Sequence, residues 1–76
     1  MNIYVCYYND CRQGDGNVLE VFFQIKNAEE YLLKEIQRSL SDRDIPFDLI
    51  DLKKNFKKTH TFEDDVIKFS IIKFTK

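Results

Sequence analysis

Residues 18–40, VLEVFFQIKNAEEYLLKEIQRSL, change their apolar period partway along, and that change decides the fold class. From Val18 to Ile25 the residues alternate, with Leu19, Val21, Phe23 and Ile25 on one side and Glu20, Phe22 and Gln24 among those on the other, the two-residue period of a strand. Beyond Asn27, Leu32, Leu33, Ile36 and Leu40 recur at helical spacing and define a stripe that must be buried. Asn27 is placed to cap this helix, Glu30 stands three positions on as in a capping box, and Glu29 and Glu30 suit the positive end of the helix dipole. The pattern predicts a helix over 28–40. A polar segment and Pro46, which disfavours helical geometry at Ile45, end it.

Working outward, residues 2–8 are β-branched and aromatic and are followed by Asn9-Asp10 and Gly14-Asp15-Gly16-Asn17, which form turns, so the first two strands read as a hairpin. Residues 47–52 read as a third strand, and 66–74 as a fourth with Ile67, Phe69 and Ile71 on one face. Thr59 to Glu63 can pair as well, with Asp64-Asp65 as the turn. The expectation is an α+β fold in one compact domain over residues 1–76: a small mixed or antiparallel four-stranded sheet, in sequence order β-β-α-β-β, with one helix packed on one face.

A helix on one side leaves the other side of the sheet bare. Turning Ile3, Val5 and Tyr7 toward the helix sends Tyr4, Cys6, Tyr8 and Phe22 to the bare side, and Tyr4, Tyr8 and Phe22 are the expected partner-binding patch, because aromatic residues concentrate at interface cores. A second candidate surface is the cluster Lys53, Lys54, Lys57 and Lys58 around Phe56, beside His60. Charge is polarised along the chain, with 10 acidic and 5 basic residues before Leu52 and 3 and 7 from there on. Lysines interleaved with an aromatic suit phosphates and a stacked base, or an acidic protein patch. A sequence pI near 5.7 is far below that of most nucleic-acid-binding domains.

Catalytic chemistry has little to rest on. Cys6 and Cys11 are spaced C-x4-C, without the two-residue gap of zinc knuckles and redox motifs. Ile45 to Leu52, following a helix, is similar to the second strand of glutaredoxins, but that family's cysteine motif directly precedes its first helix, where this chain has a strand. His60 has no neighbouring nucleophile signature, and Gly14 and Gly16 precede a strand, whereas a phosphate-binding loop precedes a helix. Asp42, Asp44, Asp48 and Asp51 match no calcium loop. No cofactor, metal or small-molecule substrate is therefore expected.

The N-terminus lacks a basic, apolar and small-residue series of the secretory type, and no apolar run approaches a membrane span, so a cytoplasmic setting and no membrane contact are expected. Ile, Lys, Asn, Phe and Tyr supply 33 of 76 residues, the mark of an AT-rich gene of the kind carried by many phages and mobile elements and also by many low-GC cellular genomes. The functional expectation is a small non-enzymatic protein-binding module, binding a protein partner or a second copy of itself. An inhibitor from a phage or mobile element, occupying a host protein or nucleoprotein surface, fits that description. A nucleic-acid accessory protein using Lys53 to Lys58 is the alternative, and a thiol-redox or metal-binding protein using Cys6 and Cys11 a second one.

Overall fold

In the computed structural model, which describes residues 1–10 and 15–75, the chain runs through β1 (Asn2–Asp10), β2 (Asp15–Phe22), α1 (Ile25–Asp42), α2 (Leu49–Thr59), β3 (Thr61–Glu63) and β4 (Ile67–Thr75). All neighbouring strands are antiparallel, in the order β2-β1-β4-β3. The first and last strands thus lie side by side in the middle, paired from Asn2 opposite Thr75 to Asp10 opposite Ile67. The α+β class and the four-stranded sheet expected from the sequence are present, with the helices inserted between two hairpins. Of the predicted turn residues, Gly14 lies outside the described residues, as does Cys11, but Asp15, Gly16 and Asn17 belong to β2 and Asn9 and Asp10 to β1, so the strands run further toward the loop than predicted.

Helix α1 buries the stripe the sequence marks out, Leu32, Leu33, Ile36 and Leu40, extended by Ala28. These side chains share one core with Cys6 of β1, Ile67, Phe69 and Ile71 of β4, and Phe56 of α2. The Cys6 thiol lies 3.9 Å from the Ala28 carbonyl oxygen, so two small, fully buried residues meet between helix and sheet. The helix starts earlier than predicted: Gln24 is its N-cap, makes no side-chain capping bond, and leaves Asn27 inside the first turn. Ile25, which packs against the core, fixes the entry of the chain in place of a polar cap.

The predicted strand over 47–52 does not form. Its last four residues, from Leu49 on, belong to α2, because the Asp48 carboxylate accepts hydrogen bonds from the Ile50 and Asp51 amides at 2.9 and 3.3 Å and so caps a helix. Leu52 and Phe56, four residues apart, then point inward together. The molecule accordingly has two helices where one was predicted, and the similarity to a glutaredoxin strand disappears with the strand. The fourth place in the sheet goes to β3, the pairing segment after the helix, whose Phe62 lies opposite Phe69.

His60 ends α2 in a left-handed conformation, φ 57°, and its amide donates to the Phe56 carbonyl at 2.7 Å. Its ring Nε2 lies 2.9 Å from Glu29 Oε2, tying the end of α2 to the start of α1. At the other end of α1, Arg43 donates to Asp64 Oδ2 at 2.7 Å, while Asp64 Oδ1 accepts from the Val66 and Ile67 amides. One carboxylate thereby holds the β3–β4 turn and the end of α1 together.

Candidate protein-binding face

The register of the central strands decides which side chains meet the helices. Cys6 lies opposite Ile71, Tyr8 opposite Phe69 and Tyr4 opposite Phe22, so Tyr4, Cys6, Tyr8 and Phe22 belong to the side that α1 covers. Tyr8 stacks at a tilt on Phe69, with ring centroids 5.2 Å apart, and Phe22 on Tyr31 of α1 at 5.4 Å. This corrects the expected exposed patch of Tyr4, Tyr8 and Phe22: the two sides of the sheet are exchanged relative to the sequence reading. Both alternating sets of β1 are apolar, so periodicity gave no means of choosing between them. Packing chose the set containing the small Cys6, which admits the helix backbone.

The bare side therefore carries the other set. Ile3, Val5 and Tyr7 of β1 lie opposite Phe74, Ile72 and Ser70 of β4, and Val5 and Tyr7 face Val21 and Val18 of β2. A bulge helps to build this face: the pairing steps from Cys6 with Glu20 to Tyr7 with Val18, leaving Leu19 as the extra residue. Leu19 packs on the core, and both Val18 and Val21 come to the bare side. Val18, Val21, Ile72 and Phe74 are 56, 43, 44 and 47% exposed, and Ile3 and Tyr7 are half-buried between them. At the far end the face turns polar, with Asn9, Lys68 and Glu63, the last two being direct cross-strand partners. The result is an apolar platform with a polar end.

The lysine cluster lies on α2, where Lys53, Lys54, Lys57 and Lys58 are all exposed. Phe56, expected among them as a stacking residue, is 1% exposed and part of the core, so it cannot receive a base. Four-residue spacing with Leu52 draws it inward and leaves the four lysines on the outer surface, alongside the exposed Ile50, Asp51 and Asn55. Lys53 and Lys57, with Lys26, line a cleft that also holds Glu29 and Glu30 of α1, so part of the basic C-terminal section faces the chain's own acidic part. His60, which stands beside this cluster in the sequence, is the helix terminus described above and is engaged with Glu29.

Cys6 is fully buried, and burial, reinforced by the Glu20 carboxylate, pushes its thiol up to about 11. A thiolate nucleophile is thus not available there near neutral pH. At Asp64, burial disfavours the charge, but the hydrogen bonds from Arg43, Ile67 and Val66 outweigh it and hold the carboxyl below its ordinary value. A concavity of about 290 Å³ between α1 and the sheet, lined by Tyr8, Leu19, Arg38, Arg43 and Phe69 among others, lies at the lower edge of small-molecule sites, and its Arg43 is already committed to Asp64. No group of three or more His, Cys, Asp or Glu side chains suited to a metal ion occurs among the described residues.

Fold and face together define a two-layer α+β unit with helices on one side and an open apolar sheet on the other. No protein-family model, curated protein or solved structure matches the chain. No helix among the described residues is long and apolar enough to cross a membrane.

Proposed function

We propose that this chain is a non-enzymatic protein-binding module whose working surface is the uncovered side of the sheet. The observation that carries the reading is the contiguous apolar platform of Val18, Val21, Ile72 and Phe74 around Ile3 and Tyr7, exposed although the same chain buries an equally apolar set beneath α1. Isolated exposed apolar residues are ordinary on a protein surface, but a joined set of this kind marks contact with another macromolecule. An inhibitor that occupies a host protein's surface is one form such a module takes.

Tyr4, Tyr8 and Phe22 support the platform from beneath, and the four lysines of α2 tune encounter with acidic surfaces. The test is affinity capture from the cells that produce the protein, comparing the parent chain with Phe74→Lys and with a Lys54→Glu, Lys57→Glu double variant. Loss of a captured polypeptide with Phe74→Lys, and its retention with the double variant in moderate salt, is the expected result. Binding of DNA or RNA that the double variant abolishes and Phe74→Lys leaves intact would replace this reading with the nucleic-acid one.

A further inference from the structure

We propose that the occupant of the bare sheet face is a second copy of the same chain, the two sheets meeting face to face in an isologous dimer. This rests on the protein-binding reading and names its partner. The first argument is area. The chain exposes 5379 Å², whereas a folded monomer of 9.1 kDa should expose roughly 4,900 Å². Its extents of 39 × 30 × 16 Å are those of a flat plate, as a sheet covered on one side only would make. A standard interface takes about 800 Å² from each partner, and the strands of 9, 8, 3 and 9 residues, at about 4.8 Å spacing and about 3.3 Å of rise per residue, offer a plane of roughly 460 Å² before the relief of the side chains is counted, more than half of that.

The second argument is charge. Among the described residues, register assigns to this face only two charged side chains, Lys68 and Glu63, which are of opposite sign and stand directly opposite each other in the β3–β4 register. A partner selected for acidity or basicity finds nothing here to answer, whereas an identical face loses nothing by meeting it. The third is shape. Two sheets of the same twist pack with their strands about 30° apart and about 10 Å between them, a condition a second copy meets by construction. The row Val21, Val5 and Ile72 then sits at the centre, the Asn9 and Lys68 end at the rim, and α1 and α2 form the outer layers, with the α2 lysines in solvent.

Sedimentation equilibrium of the parent chain across the micromolar range should give the mass of two chains, and Ile72→Lys should weaken the association at least about thirtyfold while circular dichroism stays that of the parent. Where Ile72→Lys fails to fold, a sample mixed from isotope-labelled and unlabelled parent chains decides the matter: magnetisation transfer between chains should reach the methyl groups of Ile72, Val21 and Ile3. A dimer whose inter-chain transfer avoids these residues, or one that Ile72→Lys leaves intact, overturns the proposal. So does a parent chain that remains a monomer. A monomer that still captures another polypeptide through Phe74 overturns self-pairing alone, and one whose capture is indifferent to Phe74→Lys overturns the protein-binding reading with it.

Discussion

Cys6 is the residue that orders the core, since a thiol of its size lets α1 settle against β1 with Ala28 above it. Its burial makes two consequences measurable. In a Cys11→Ser background, Cys6 should resist alkylation at pH 8 in the native state and react fully once urea unfolds the chain; labelling within seconds in the native state would contradict the buried placement. Because its pKa rises from 9.0 unfolded to about 11 folded, the folded state keeps the proton longer, and stability should fall between those two pH values. Asp64 works in the opposite direction. Its folded pKa is lowered, so its contribution is complete above the unfolded value and is lost as pH falls through the folded one. Arg43→Ala should remove on the order of 1 kcal/mol at neutral pH and raise the midpoint of acid unfolding, as a pH titration followed by circular dichroism would show. Neither partnership was legible beforehand: Arg43 and Asp64 are separated by a helix and a strand, and nothing local in either residue announces the other.

At the scale of elements, α2 is the instructive case. Residues 47–52 hold Phe, Leu and Ile in a short run that suits a strand, and short apolar runs of this length are the ones periodicity cannot resolve. Asp48 was the available signal, a capping residue at the start of a series in which Leu49, Leu52 and Phe56 recur at helical spacing. Asp48→Ala should cost about 1 kcal/mol and lower the helix signal in circular dichroism, with Asp48→Asn retaining most of it. Phe56→Ala should cost about 3–5 kcal/mol, comparable to everything a core of this size supplies, and leave the chain largely unfolded. If Phe56→Ala melts like the parent, α2 does not pack as described. In α1 the reading of Leu32, Leu33, Ile36 and Leu40 as the buried stripe holds, because a long amphipathic helix repeats its signal over several turns.

For the molecule as a whole, the central pair joins the first strand to the last, so the best-protected part of the sheet depends on contacts between residues at opposite ends of the sequence, among them Thr75 Oγ1 and Asn2 Oδ1 at 3.2 Å. Folding of such a topology must close long loops before the central pairing rewards it, which places it among the slower small domains. Hydrogen exchange should therefore rank the strands. Amides in the middle of β1 and β4 should exchange last, close to the global unfolding limit, while those on the outward side of β2 and in the three residues of β3 exchange early. Equal protection across all four strands would mean that the β2 edge is covered, for instance by pairing with another chain.

The sequence by itself determined the α+β class, the hairpin at each end, the buried stripe of α1, and the shared face of Ile67, Phe69 and Ile71. Those features are written in local periodicity and residue type. The tertiary structure decided which side of the sheet the helices cover, and with it the identity of the candidate surface. Tyr4, Cys6 and Tyr8 compete with Ile3, Val5 and Tyr7 on equal hydrophobic terms, and a one-residue change of face costs nothing in pattern. Only the fit of Ala28 over Cys6, the pairing of β1 with β4 and the bulge at Leu19 resolve the choice, and each is a relation between residues distant in sequence.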